Sequence, residues 1–484
     1  MLNTFFSYLE NNKIILMRSK YLFKISLLFI SFGLPFFWFK KGFLMTISDF
    51  VFPLRYSDAI FGRYMYMWMD KVAPGFEHSR GVMQLPYQTF IYILHKLGLS
   101  MPAIQHIFFA VLIFLAMYFF AKSILLFKED FNKYLLIISG LFYVINPYSL
   151  TVFWGTISLS ILSYLLTPAL EYFFIKVFYS NENPLKNIIK FSLAAFIYNS
   201  SGNPIYFLAF LLINFFVLFL VRIFSKKLDA SLIKKSVFGA FLILLTSSFW
   251  LGGFLYSMRS EAVAVSKNSI GSDSAINLVD FITSKASILE LLQLKGFWTL
   301  YTTHQGQSYY DYAGYYESIW PVFLVFPLLV IMSIFFSKRK KRVFIFFSLV
   351  FFLSLFFIWA THSYAGRSFY SFILHNPIGI AFRNPMDKFG PLFVFSYIFI
   401  FSLMISEIRQ RKIFFTLAGI FIFYFVLVSY PLFSGKIFRK EIKNLPSYYV
   451  KIPQDYYDVK KILDNKKIVS NLYTLPYLEQ YYGT

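Results

Sequence analysis

Residues 42–102 gather Asp49, Asp58, Asp70 and Glu77 with Arg55, Arg63 and Arg80 among many aromatic side chains, in a chain only 14% charged. Asp49 lies in ISDF, shortly after the first long apolar run. A carboxylate between apolar neighbours at a membrane surface has its charged form penalised. Its pKa rises, and it can take a proton from a hydroxyl group. The same residue could instead cap a short helix. Asp58, in RYSDAIFGRY, is the second candidate, with a helix-start charge or a partner for Arg55 or Arg63 as its other readings.

Cations recur at a second place. Arg383 and Lys388 stand in AFRNPMDKFGP, just before a late apolar run. Arginine grips phosphate with two parallel hydrogen bonds and lysine acts as a point charge. Together with Arg55 and Arg63, they suit the phosphate of a lipid carrier. Ordinary lipid phosphates, or a salt bridge from Arg383 to Asp387, would use them as well. A third place, GQSYYDYAGYYES (306–318), mixes Asp311, Tyr312 and Glu317. Rings stack on sugar faces and carboxylates accept from sugar hydroxyls, although tyrosine also favours the membrane interface. Glu171 falls inside an apolar run, from which it could reach toward Lys176. The six histidines show no metal-ligand spacing, and nothing in the sequence requires a metal, although a divalent ion could share the phosphate's charge. P-loop, GxSxG and dinucleotide motifs are absent, which removes support for ATP-driven transport and serine hydrolysis.

These residues need a scaffold. The 484-residue chain is 58% hydrophobic and contains 66 Phe, a composition typical of a polytopic membrane protein. Without cysteine it has neither disulfides nor thiolate metal sites. Eleven apolar runs read as membrane helices: roughly 21–39, 103–126, 131–147, 158–179, 188–199, 204–224, 236–256, 318–337, 343–360, 391–408 and 413–433. The fifth is short, and NSSGNP after it is a turn signal. No cleavable signal peptide is apparent.

The net charge of +23 raises nucleic acid as a partner, but basic clusters fall at the ends of apolar runs, where they set topology. With the N-terminus in the cytoplasm, half of the 46 Lys and Arg lie in inner segments, and the short outer loops 148–157 and 199–203 contain none. The C-terminus is then extracytoplasmic. The outer face receives 40–102, 257–317, 361–390 and 434–484 as its large pieces. INLVDFITSKASILELLQLKGFW within the second is amphipathic and expected on the outer surface. Residues 1–433 form the membrane domain. DYYDVKKILDNK (455–466) reads as a helix and KIVSNLYTLP (467–476) as a strand, so 434–484 is expected to begin an incomplete extracytoplasmic α/β or β-rich domain.

Several of these segments resemble one family. ISDF followed by an aromatic loop with Gln84 and Pro86 resembles the first outer loop of GT-C glycosyltransferases, in particular the membrane domain of the α-(1→3)-arabinofuranosyltransferase family. INPYSLTVFWGTIS (145–158) is similar to its segment between the third and fourth spans. AFRNPMDKFGPL (381–392) is similar to its Arg-Asn…Lys-Phe segment, and KIVSNLYTLPYLEQYYG (467–483) to the start of its outer β-rich part. The resemblance implies a GT-C bundle acting on a polyprenyl-phosphate sugar, with a glycan or glycolipid acceptor on the outer face. Its catalytic acid would fall on Asp49 and its late basic segment on Arg383 and Lys388. The chain is more compact and richer in Phe and Lys than that family, so the sugar is not carried over. A transporter of lipid-linked saccharides would instead line the membrane centre with polar residues and show internal repeats. A non-catalytic assembly factor for surface polysaccharide would use the outer loops only to bind a partner.

Overall fold

The computed structural model describes residues 21–45, 58–66, 68–69, 76–129, 131–155, 159–180, 183–225, 230–267, 272–304, 306–336, 342–375, 379–438 and 447–451, with positions 454, 455, 458 and 462. Eleven helices follow the eleven apolar runs: α1 Tyr21–Phe37, α2 Met101–Leu125, α3 Lys133–Trp154, α4 Ser160–Tyr179, α5 Pro184–Tyr198, α6 Ile205–Phe224, α7 Ala230–Lys267, α8 Trp320–Ser333, α9 Val343–His362, α10 Pro385–Ser406 and α11 Arg411–Val428. Eight of them, α2–α4, α6, α7 and α9–α11, are long and apolar enough to cross a membrane. α1 and α8 are shorter apolar helices, and α5 has 15 residues. The described residues therefore form a helical multi-pass membrane protein, with eight helices that qualify as spans by length and composition and three shorter apolar ones.

α10 is the hub. Its sequence, PMDKFGPLFVFSYIFIFSLMIS, is apolar on every side, and a helix with no polar face belongs at the centre of a bundle. It packs against α9 along its length, and against α2, α3, α4, α6, α8 and α11. Aromatic edges set these contacts: Phe399 meets Phe347 with ring centroids 4.3 Å apart, and Phe395 meets Phe120 at 5.5 Å. Aromatic pairs add about 0.5–1.5 kcal/mol each beyond the burial of their area. Glu171 on α4 does not reach for Lys176. It is fully buried and accepts from Asn214 Nδ2 on α6 at 2.8 Å.

Cationic side chains gather at one end of the bundle. Lys128 donates to the Ser406 carbonyl at 2.7 Å, Arg222 to that of Phe178 at 2.7 Å, and Lys235 lies 3.5 Å from that of Ser180. Lysine and arginine there meet the negative ends of α4 and α10. At the other end the loops are longer and carry small antiparallel ribbons. β1 (Phe43–Met45), β2 (Trp68–Met69), β3 (Phe76–Glu77), β4 (Thr303–His304), β5 (Gln307–Ser308) and β6 (Tyr449–Lys451) pair as β1–β6, β2–β3 and β4–β5. β6 brings the C-terminal piece back onto the segment that follows α1, with Leu44 opposite Val450. The helix expected at 455–466 falls largely outside the described residues, and the strand at 467–476 wholly so.

The amphipathic stretch after α7 is divided between helices Ser272–Thr283 and Ile288–Leu292. The first docks on Tyr364–Leu374, from the next large loop. Asp280 pairs with Arg367 at 2.9 Å, and His362 Nε2 lies 2.5 Å from the Thr283 carbonyl.

Candidate functional site

Two of the sequence segments singled out above meet at the loop-rich end. The first, residues 145–155, is a break in α3. Asn146 closes one helical stretch and opens the next. Its Nδ2 donates to the carbonyls of Phe142 and Tyr143, while its Oδ1 accepts from Ser149 N at 3.0 Å and Ser149 Oγ accepts from Asn146 N at 2.9 Å. This reciprocal cap, with Pro147 at the first helical position, fixes the backbone of a buried turn. A wide helical turn follows at Leu150–Trp154. Such turns disrupt the regular ladder and need outside partners for their carbonyls.

Those partners come from the tyrosine-rich segment. Tyr310 donates to the Thr151 carbonyl at 3.0 Å and Tyr312 to that of Leu150 at 3.2 Å. Tyr315 and Tyr316 donate in the same way to Leu427 and Val428 at the end of α11. Tyr312 is 0% exposed, stacked on Tyr310, and burial pushes its hydroxyl well above the usual tyrosine range. Tyr312, expected to contact sugar, braces the turn from within in this structure. Asp311 and Glu317 remain exposed on the same segment.

The second segment is the start of α10. Asn384 stands at the cap, Pro385 opens the helix, and Asp387 falls in the first turn, where a carboxylate is favoured by the helix dipole. Asp387 Oδ2 accepts from the Tyr206 hydroxyl at 2.7 Å and from Lys388 Nζ at 3.0 Å. Lys388 Nζ also lies 4.0 Å from the centre of the Tyr206 ring. Asp387 Oδ1 is buried and accepts no hydrogen bond from the described residues, and neither does Asn384 Oδ1. Buried acceptors are normally satisfied, and these two lie in one helical turn beside the exposed Arg383.

Tyr148 joins the segments by donating to the Met386 carbonyl at 2.6 Å. This contact needs Gly390, because a Cβ there would lie 2.6 Å from the Tyr148 hydroxyl. The 40–102 segment and the residues flanking it reach the same neighbourhood from two sides. Gln84 rests on Gly202, whose φ of +74° turns the chain into α6 and Tyr206. On the other side, Trp38 meets Trp154 edge-on at 5.4 Å. The Gln105 amide then holds Met45 in the manner of a neighbouring strand, donating to its carbonyl at 2.7 Å and accepting from its N–H at 2.9 Å.

Lys388 is enclosed, with 7% of its side chain exposed, and paired with Asp387. Arg383 is exposed and makes no ion pair with Asp387. Arg63 is exposed at the end of the helix Asp58–Arg63. Asp49 and Arg55 lie outside the described residues, as does the Asp58 side chain. Tyr148, Tyr206 and Asn384 were missed by sequence reasoning, and Asp387 was read only as a partner for Arg383. Among the described residues no three His, Asp or Glu side chains gather as metal ligands.

No protein-family model matches the chain, and no curated protein does. Its fold does match solved structures. A cryo-EM structure of arabinofuranosyltransferase AftD from Mycobacteria aligns over 92% of this chain and 28% of its own, with a TM-score of 0.59 and 13% identity. A point mutant of that protein aligns in one class over 92% of this chain and 30% of its own, with a TM-score of 0.61 and 14% identity. A second class of the mutant covers 91% and 30%, with a TM-score of 0.53 and 13% identity. The GT-C resemblance drawn from the sequence is borne out as a likeness of fold. The chain spans about three-tenths of the length of those proteins.

Proposed function

We propose that this chain is an integral-membrane glycosyltransferase. It moves a sugar from a polyprenyl-phosphate carrier to a cell-surface glycan or glycolipid on the extracytoplasmic face. The observation that carries this reading is the cluster at the start of α10, an anchored Asp387 with an open oxygen beside exposed Arg383, set in a fold shared with a glycosyltransferase.

In the reaction an acceptor hydroxyl oxygen attacks the anomeric carbon. The bond from that carbon to the phosphate oxygen breaks, and its electron pair leaves with the polyprenyl phosphate. The hydroxyl proton passes to a carboxylate, assigned to Asp49, with Asp58 as second candidate. Arg383 meets the departing phosphate from the exposed rim, helped by Arg55 or Arg63, and stabilises its growing charge. Lys388 does not bind the phosphate as a free cation in this scheme. It holds Asp387 Oδ2, so that Oδ1 and Asn384 Oδ1 face the incoming hydroxyls. Asp311 and Glu317 are the remaining acceptor-side candidates. A divalent ion at the phosphate would share Arg383's task. Orientation follows the cations, with the lysine-rich end of the bundle cytoplasmic and the α10 start outside.

The test is sugar transfer from a polyprenyl-phosphate sugar by the purified chain in liposomes. Asp49→Asn and Arg383→Gln are each expected to lower the rate at least roughly 10²-fold. Wild-type rates in Asp49→Asn would reject the assigned base. A wild-type chain inactive with every polyprenyl-phosphate sugar, yet retaining such lipids, would favour the transporter reading.

A further inference from the structure

A cavity of 230 Å³ opens between α4, α5, α6 and α7, and none of the residues of the α10 cluster lines it. Its wall includes Phe178, Phe191, Phe215 and Gly239, and its lining is apolar throughout. A dry apolar cavity of about 150 Å³ already accepts a benzene ring, so this one has room for a stretch of hydrocarbon chain. Its open side lies along α7, where Ala240 and Leu244 are exposed to the bundle's surroundings. The space exists because position 239 is glycine. A Cβ there would meet only Ile188, at 3.9 Å.

Two cations stand at the mouth nearer the lysine-rich end. Lys235 lies one turn before Gly239 on α7, and Arg222 lies two turns after Phe215 on α6, so each follows the face that lines the cavity. Both reach the end of α4, at the carbonyls of Phe178 and Ser180. Arg222 keeps a buried Nε–H that finds no acceptor among the described residues. The rest of the guanidinium lies 5.6 Å from the Tyr179 ring centre, and phosphate is the anion its planar charge suits.

We propose that this cavity is a binding site for an anionic phospholipid of the leaflet at the lysine-rich end. One acyl chain enters between α5 and α7, and the phosphate sits at the charge of the partly exposed Arg222 guanidinium and the Lys235 ammonium. A neutral or zwitterionic lipid supplies the chain without the net charge that the two cations complement.

The full chain would be reconstituted in phosphatidylcholine vesicles containing phosphatidylglycerol, re-extracted in mild detergent and weighed by native mass spectrometry. One retained phosphatidylglycerol per protein is expected. Gly239→Phe fills the cavity, and displacing two methylene groups weakens retention roughly tenfold. Gly252→Phe, on the same helix at a position where an added Cβ meets nothing within 4 Å, keeps the lipid. Lys235→Gln leaves the cavity intact and is expected to erase the preference for phosphatidylglycerol, which keeps the test open should Gly239→Phe misfold. Equal retention of both lipids by the wild type would overturn the proposal. So would unchanged retention in folded Gly239→Phe, or preferential capture of polyprenyl phosphate from vesicles doped with it.

Discussion

Asp387 and Lys388 are neighbours in sequence, and side chains one residue apart on a helix normally point to different faces. Here the Tyr206 ring holds the ammonium from above while its hydroxyl holds the carboxylate, so α6 folds the pair together. The two side chains are only 7% and 16% exposed. Removing one charge strands the other: Lys388→Met is expected to cost about 3–5 kcal/mol, whereas Asp387→Asn with Lys388→Met recovers most of that loss. Thermal unfolding of both variants in detergent checks this, and equal destabilisation would show that the pair is not coupled. Sequence reading placed cations at 383 and 388 and offered Asp387 only as an alternative partner for Arg383, because Tyr206 lies 181 residues away in the chain and its contribution depends on packing. The bracing contact of Tyr312 was not legible for a similar reason. Its carbonyl partner, Leu150, is 162 residues distant, and an isolated tyrosine-rich motif looks alike whether it faces sugar or caps a helix.

At the scale of elements, close approach rather than propensity governs the α10 start. Gly390→Ala drives a methyl group into the Tyr148 ring and is expected to destabilise the protein by roughly 1–3 kcal/mol. Gly419→Ala on α11 has open space around it and is expected to stabilise by about 0.5–1 kcal/mol. Opposite signs in the two melting temperatures would confirm the contrast. The β1–β6 ribbon makes a separate prediction in alkali. Burial pushes the Tyr449 hydroxyl, which donates to the Trp38 carbonyl, from 10.0 up to about 12. A folded pKa above the unfolded one adds stability that is complete below pH 10.0 and lost as pH rises toward about 12. The ribbon should therefore loosen in that window, as tyrosinate absorbance and hydrogen exchange at Val450 would show. Tyr449→Phe should shift the onset upward. The ribbon itself was not legible beforehand, since three-residue strands carry too little periodicity to read.

Across the whole molecule, hydropathy located every helix of the bundle, because apolar runs have few alternatives to a helix in lipid. Among the described residues α1, α5 and α8 are shorter than the eight helices that qualify as spans by length. Basic clusters also converge at one end in three dimensions, which makes topology testable. The chain has no cysteine, so single replacements report cleanly. Glu317→Cys and Tyr364→Cys are expected to react with an impermeant maleimide on intact cells, and Lys190→Cys only after permeabilisation. The reverse pattern would invert the proposed orientation.

The most direct measurement uses a photoreactive polyprenyl-phosphate sugar and maps its cross-links on the purified chain by mass spectrometry. Labels are expected in 381–391 and around Tyr206, with labelling suppressed by unmodified donor and reduced in Arg383→Gln. Labelling confined to the lysine-rich end, or spread along the lipid-facing helices without competition, would contradict a donor site at the start of α10.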